Sequence, residues 1–178
     1  MGKFSEGLLN DEKILANLDI CAGQTILDAG CGNGYMAKKF SELVGKTGKI
    51  YALDPDKQSI AKLKKEVEMT NIEAFVGDIT KPTRLKAASI DLVYLSTVFH
   101  IFSESQIEEF VTEISAKPTL FNPGLRALWI TPIRALSKEI SQAAQRVVDD
   151  LEIPLKIGIR TGDTTTKMRQ EQKKNTPQ

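Results

Sequence analysis

An α/β fold is what this sequence predicts: a mostly parallel sheet between two layers of helix, in one three-layer domain. Two observations carry the prediction. Short apolar runs alternate with stretches of helical periodicity, and glycine- or proline-rich turns separate them. The chain has 178 residues, 41% hydrophobic and 26% charged, which suits a single domain with a real core. Strand–helix alternation without an internal repeat favours parallel strands joined by crossover helices.

The elements follow in order. "TILDAG" (25–30) is an apolar run ending in glycine, and "YMAKKFSELV" (35–44) places Met36, Phe40 and Leu43 at helical spacing. "GKTGK" is a turn, "KIYALD" (49–54) a second strand, and "PDKQSIAKLKKEVEM" (55–69) a helix with Pro55 at its start. Ile60, Leu63 and Val67 form that helix's apolar stripe. "IEAFVGD" (72–78) and "IDLVYLS" (90–96) are the third and fourth strands, with a loop between them. "SESQIEEFVTEIS" (103–115) is a helix capped by Ser103 or Ser105. "KPTLFNPG" (117–124) reads as a loop and "LRALWITP" (125–132) as a fifth strand. A helix over 134–151 sets Ile140, Ala144, Val147 and Leu151 on one side, and Pro154 ends it. "LKIGIR" (155–160) is a sixth strand before a polar tail. Right-handed crossovers make this a Rossmann-like, doubly wound arrangement.

Charge and cysteine content narrow the function classes. The net charge is +1, so no global field draws nucleic acid or an acidic membrane. Residues 156–178 hold six basic and two acidic side chains, a net of +4 that reads as a solvated terminus. Cys21 and Cys31, with a single histidine in the chain, indicate neither a zinc site nor a disulfide framework. Reduced cysteines fit a cytoplasmic location. The first residues lack the apolar stretch of a signal peptide, and no segment has the length of a membrane span.

The first strand ends in Asp28-Ala29-Gly30-Cys31-Gly32-Asn33-Gly34. In doubly wound sheets, ligands sit beyond the carboxyl ends of the strands. Glycines let a ligand approach the backbone, and the following helix offers free N–H groups. The spacing is not that of a dinucleotide fingerprint, because Tyr35 stands where the third glycine would be. Asp54, at the end of the second strand, is placed to accept from two ribose hydroxyls. Together they suit an adenosine ligand with a carboxylate-bearing tail and no pyrophosphate. "VGKTGK" is no phosphate-binding loop: Phe40 occupies the position of its first glycine, and helix precedes strand.

"LDAGCGNGYMAKKF", "IYALDPD", "VGDI" and "IDLVYLSTVFHIF" resemble successive motifs of class I S-adenosylmethionine-dependent methyltransferases, over roughly residues 8 to 116. The resemblance implies S-adenosylmethionine as cofactor and S-adenosylhomocysteine as product. It implies Asp28, Ala29, Gly30, Gly32 and Gly34 along the methionine part and Asp54 at the ribose. Pro55 and Asp56 would flank the adenine, Asp78 would accept from its amino group, and Ile79 would lie beside it. Ser96 and Thr97 would close the pocket where the acceptor enters. His100 follows the fourth strand and is either a general base or a histidine packed among Phe99, Ile101 and Phe102. No metal ligand set is indicated, and the methyl acceptor and oligomeric state are left open.

Residues 124–178 are similar instead to a piece of a superfamily 2 DExH-box DNA helicase of the large or ligase-associated type. "TPIRAL" resembles its motif Ia and "GIRTGDT" the strand and loop after it. Thr131, Arg134, Thr161 and Thr164 would be the phosphate-contacting positions. No Walker A loop is present and "VDDL" is not a DExH box, so ATP hydrolysis is not expected. The chain reads as a chimera: a methyltransferase-like part (1–116), a join (117–123), and a helicase-like β-α-β part completing the sheet (124–178). Three functions remain in competition. They are a methyltransferase of unknown acceptor, a binding module that holds the cofactor without turnover, and a chimeric scaffold or nucleic-acid-binding fragment.

Overall fold

The computed structural model describes residues 11–16, 18–83, 85, 88–96, 102–115, 120–130, 134–150, 152 and 157. Five parallel strands form one sheet in the order β3-β2-β1-β4-β5. They are β1 (Thr25–Ala29), β2 (Lys49–Asp54), β3 (Ile72–Val76), β4 (Ala88–Ser96) and β5 (Leu120–Ile130). The helices are α1 (Asp11–Ala16), α2 (Tyr35–Val44), α3 (Lys57–Glu66), α4 (Glu104–Ser115) and α5 (Arg134–Asp150). The chain winds outward from β1 to β3, returns to β4 on the other side of β1, and continues to β5. The switch point therefore lies between β1 and β4, beside the glycine turn.

Period-two alternation divides the core. Ile26, Ile50, Ala52, Leu92 and Tyr94 face one side, where they pack against Met36, Phe40, Ile60 and Leu63 of α2 and α3. Leu27, Ala29, Leu53, Val93 and Leu95 face the other, against Ile107 and Phe110 of α4 and Ile140 and Ala144 of α5. Strands buried on both faces read as continuous apolar runs, which is why β1 and β4 are legible in the sequence.

Several boundaries differ from the sequence reading. The second helix starts at Lys57 rather than Pro55, because Asp56 caps it: its carboxylate accepts from the Gln58 (3.1 Å) and Ser59 (3.2 Å) amides. β3 stops at Val76, leaving Gly77 and Asp78 in the following turn. The predicted loop over 117–124 is partly strand, since β5 begins at Leu120. Its pairing runs Ala88↔Leu120 and Ile90↔Phe121, then resumes at Leu92↔Arg126. Pro123 and Gly124 fall in that irregularity, where a bulged strand can carry a residue without an N–H. From Leu92↔Arg126 to Ser96↔Ile130 the pairing is regular, so the described part of "LRALWITP", up to Ile130, lies beside "IDLVYLS".

The sequence reading did not include α1. Asp11 docks it onto α2: Tyr35 Oη donates to Asp11 Oδ2 at 2.7 Å, and Lys39 Nζ lies 2.9 Å from the same oxygen. Those two partners hold the Asp11 carboxyl well below its usual range, at about 2. Tyr35, where a dinucleotide fingerprint would have glycine, is thus the anchor for the N-terminal helix. Apart from Ile157, the predicted strand over 155–160 lies outside the described residues, as do the C-terminal tail, Thr131, Thr161 and Thr164, while Arg134 opens α5.

Candidate functional site

The glycine turn is built by backbone constraint. Gly30, Gly32 and Gly34 all have positive φ, at 77°, 52° and 74°. Gly34 opens α2 from the left-handed region, and a Cβ there would come within 2.4 Å of Leu63 Cδ1. Only glycine satisfies both the backbone and that close helix approach. A Cβ on Gly32 would meet nothing within 4 Å, so the turn has open space above its central glycine.

Hydrogen bonds fix the turn to the end of β2. The Gly30 and Cys31 amides donate to Leu53 O at 2.7 and 3.0 Å. Asp54 then joins three segments: its Oδ2 accepts from the Gly32 amide and its Oδ1 from the Asp56 amide, each at 2.8 Å. Each of these oxygens retains a second lone pair for a further donor.

Asp28 differs. It ends up 3% exposed beneath α2, and its Oδ2 has no hydrogen-bond partner. Burial raises its carboxyl to about 7, opposed by the Ala37 amide in the first turn of α2 and reinforced by the nearby Asp54 charge. Gly34 supplies no side-chain cap to α2; Asn33 Oδ1 instead accepts from the Tyr35 amide at 3.1 Å. Cys31 is buried and free; burial and the Asp28 and Asp54 carboxylates push its thiol up, away from reactivity.

A hollow of about 170 Å³ opens beside the turn. Gly30, Pro55, Asp78 and Ile79, all singled out in the sequence, share its wall with Phe102 and Gln106. Asp78 Oδ1 accepts from the Thr80 amide and hydroxyl, both at 2.9 Å, so one oxygen holds the turn. Asp56 is not part of that wall, because its carboxylate is spent on the α3 cap. Ala29 is fully buried in the core, and Ser96 is buried at the end of β4. Thr97 and His100 lie outside the described residues. The sequence reading missed Gln106 and took Phe102 only as packing. Phe102 precedes the Ser103 cap of α4 and Gln106 lies in its first turn, so the start of this helix brings both to the hollow.

Comparison with known proteins now has a geometry to meet. A family model described as "Methyltransferase domain" matches residues 26–117, from the middle of β1 through the end of α4. The chain belongs to this family. Protein-L-isoaspartate O-methyltransferase of Methanococcus maripaludis is 35% identical over 82 residues, 44% of this chain and 38% of that protein. A fibrillarin-like rRNA/tRNA 2'-O-methyltransferase of Thermococcus sibiricus is 32% identical over 95 residues, 52% of this chain and 41% of that protein. The chain thus spans well under half the length of these curated relatives. In fold it is similar to a SAM dependent methyltransferase from Aquifex aeolicus, with a TM-score of 0.67 and 21% identity. That likeness covers 87% of this chain and 85% of the other.

Membership in the methyltransferase-domain family implies S-adenosylmethionine as the cofactor, and the residues present fit it. The molecule carries an ammonium, a carboxylate, a ribose diol and an adenine. The turn offers open backbone at Gly32, Asp54 offers spare acceptor capacity, and Asp28 Oδ2 is a buried acceptor without a donor. The hollow walled by Pro55 and Ile79 is apolar apart from Asp78 and Gln106. Among the described residues, no helix is long and apolar enough to cross a membrane.

Proposed function

We propose that this methyltransferase domain binds S-adenosylmethionine at the glycine turn and transfers its methyl group to a nucleophilic acceptor. The observation that carries the reading is Asp54, whose carboxylate closes the turn while keeping acceptor capacity at the end of β2. The bound cofactor supplies an electrophilic methyl group on a sulfonium. The chain's own residues then have four tasks. Gly30, Gly32 and Gly34 bring backbone to the methionine part, with Ala29 shaping the strand end. Asp28 sits beneath α2 as an acceptor for a cation, and Asp54 accepts from the ribose hydroxyls. Pro55 and Ile79 would flank the adenine and Asp78 would accept from its amino group, with Asp56 capping the adjoining α3.

Ser96 ends β4 at the switch point; the family resemblance assigns it and Thr97 to the side from which the acceptor would enter. Displacement at a methyl group depends chiefly on alignment. Where the acceptor carries a proton, His100 is the candidate to take it.

The division of the chain belongs to the same proposal. The family match ends at residue 117, and β5 pairs in parallel with β4. We read 124–178 as a segment of other origin that extends the sheet and replaces the part in which acceptor specificity would reside. The relatives act, by name, on isoaspartyl protein and on rRNA or tRNA, so an acceptor screen spans both classes. Incubation with methyl-labelled cofactor is expected to label one class, and substituting Asp54 is expected to remove that label. Tight cofactor binding with no labelled product in any class would reduce the chain to a binding module.

A further inference from the structure

Gln106 carries an inference that rests on the cofactor reading above and deepens it. It is the third residue of α4, and it forms a reciprocal cap with Ser103. Gln106 Oε1 accepts from the Ser103 amide at 2.9 Å, and Ser103 Oγ accepts from the Gln106 amide at 3.3 Å. The Ser103 amide can only donate, so it settles which end of the Gln106 carboxamide faces it. The oxygen is committed to the cap, and the NH2 group is the part left for the hollow that Gln106 lines.

Asp78 lines the same hollow, and its Oδ1 is committed to Thr80. Among the described residues, two side-chain groups of that wall have no partner: an acceptor, Asp78 Oδ2, and a donor, Gln106 Nε2. Adenine carries an amino donor beside a ring-nitrogen acceptor. Hypoxanthine and guanine reverse the polarity at that position, with a carbonyl oxygen beside a ring N–H. We infer that Gln106 is a specificity-determining residue for the base, donating its side-chain amide to an adenine ring nitrogen while Asp78 accepts from the exocyclic amino group. Phe102, just before the Ser103 cap, lines the same hollow and supplies an apolar flank that keeps water from competing.

The cap makes a clean test available. Glu is as good as Gln in this capping position, so Gln106→Glu keeps the fold and exchanges the donor for an acceptor. S-adenosylhomocysteine and its inosyl analogue would be titrated calorimetrically into wild type, Gln106→Glu and Gln106→Ala, with Tm measured for each. The wild type is expected to favour the adenosyl ligand. Gln106→Glu is expected to lose about tenfold or more in its affinity with Tm unchanged, and to narrow the discrimination. Gln106→Ala removes the donor without adding a repulsive acceptor, so a smaller loss is expected, with a lower Tm from the broken cap. That variant decides the matter should Gln106→Glu prove unstable. Wild-type binding that neither substitution changes would overturn this inference while leaving the cofactor reading standing. A folded wild type that binds neither ligand would overturn both.

Discussion

The two sides of the switch point are built differently. On the β1–β2–β3 side, register is unbroken and the strand ends are tied to one another through side chains. Asp54 alone joins the glycine turn, the end of β2 and the start of α3. On the β4–β5 side, pairing slips twice, and the strand carries Pro123 and Gly124 through the irregularity. The first side holds several backbone segments in one place for a ligand. The second mainly completes a hydrophobic sandwich, a task that many apolar strands can perform. The contrast predicts that sequence change is tolerated more readily at β5 than at β1.

Substitutions can break or sharpen this contrast. Gly34→Ala should do the most damage. It combines a left-handed backbone with a Cβ 2.4 Å from Leu63, and a loss of about 3–5 kcal/mol in chemical denaturation is expected.

Asp28→Asn should act in the opposite direction and depend on pH. The folded carboxyl sits at about 7, above its unfolded value near 4. The folded state therefore holds the proton more tightly, and the wild type should lose stability as pH rises from about 4 to about 7, then level off. Asparagine has no such proton, so at pH 8 the variant should be more stable by about 2–4 kcal/mol, with no gain at pH 4. Equal Tm differences at both pH values would remove Asp28 as a buried, proton-holding group. Because the same buried acceptor is offered to the cofactor, the stabilised variant is expected to bind it more weakly.

Asp54→Ala should cost about 1.5–3 kcal/mol of cofactor affinity, the range for a lost hydrogen bond to a charged group. Pro123→Ala should change stability least, within about 0.5 kcal/mol in chemical denaturation, because the bulge requires no ladder N–H from that residue. A large destabilisation there would mean that the two sides are equally exacting.

The same contrast governs what could be read from sequence. β1, α2, β2 and α4 were legible because burial on both faces gives apolar runs and amphipathic helices give their period. The glycine turn and Asp54 were legible because their chemistry is local: positive φ demands glycine, and the strand end places the carboxylate. The start of β5 was not, since Pro123 and Gly124 signal a loop unless a bulge absorbs them. Nor was α1, six residues whose place is set by Asp11 meeting Tyr35 and Lys39 across 24 and more positions. Asp56 was read as flanking the ligand, but a carboxylate before a helix start is drawn to cap it. Gln106 was missed because its role depends on which of its atoms the Ser103 cap consumes.

Calorimetric titration of S-adenosylhomocysteine into the folded chain and into Asp54→Ala tests the central claim most directly. The account predicts saturable binding at one site per chain, weakened at least tenfold by the substitution. No binding heat from folded wild type, or equal affinity in the two proteins, would contradict it.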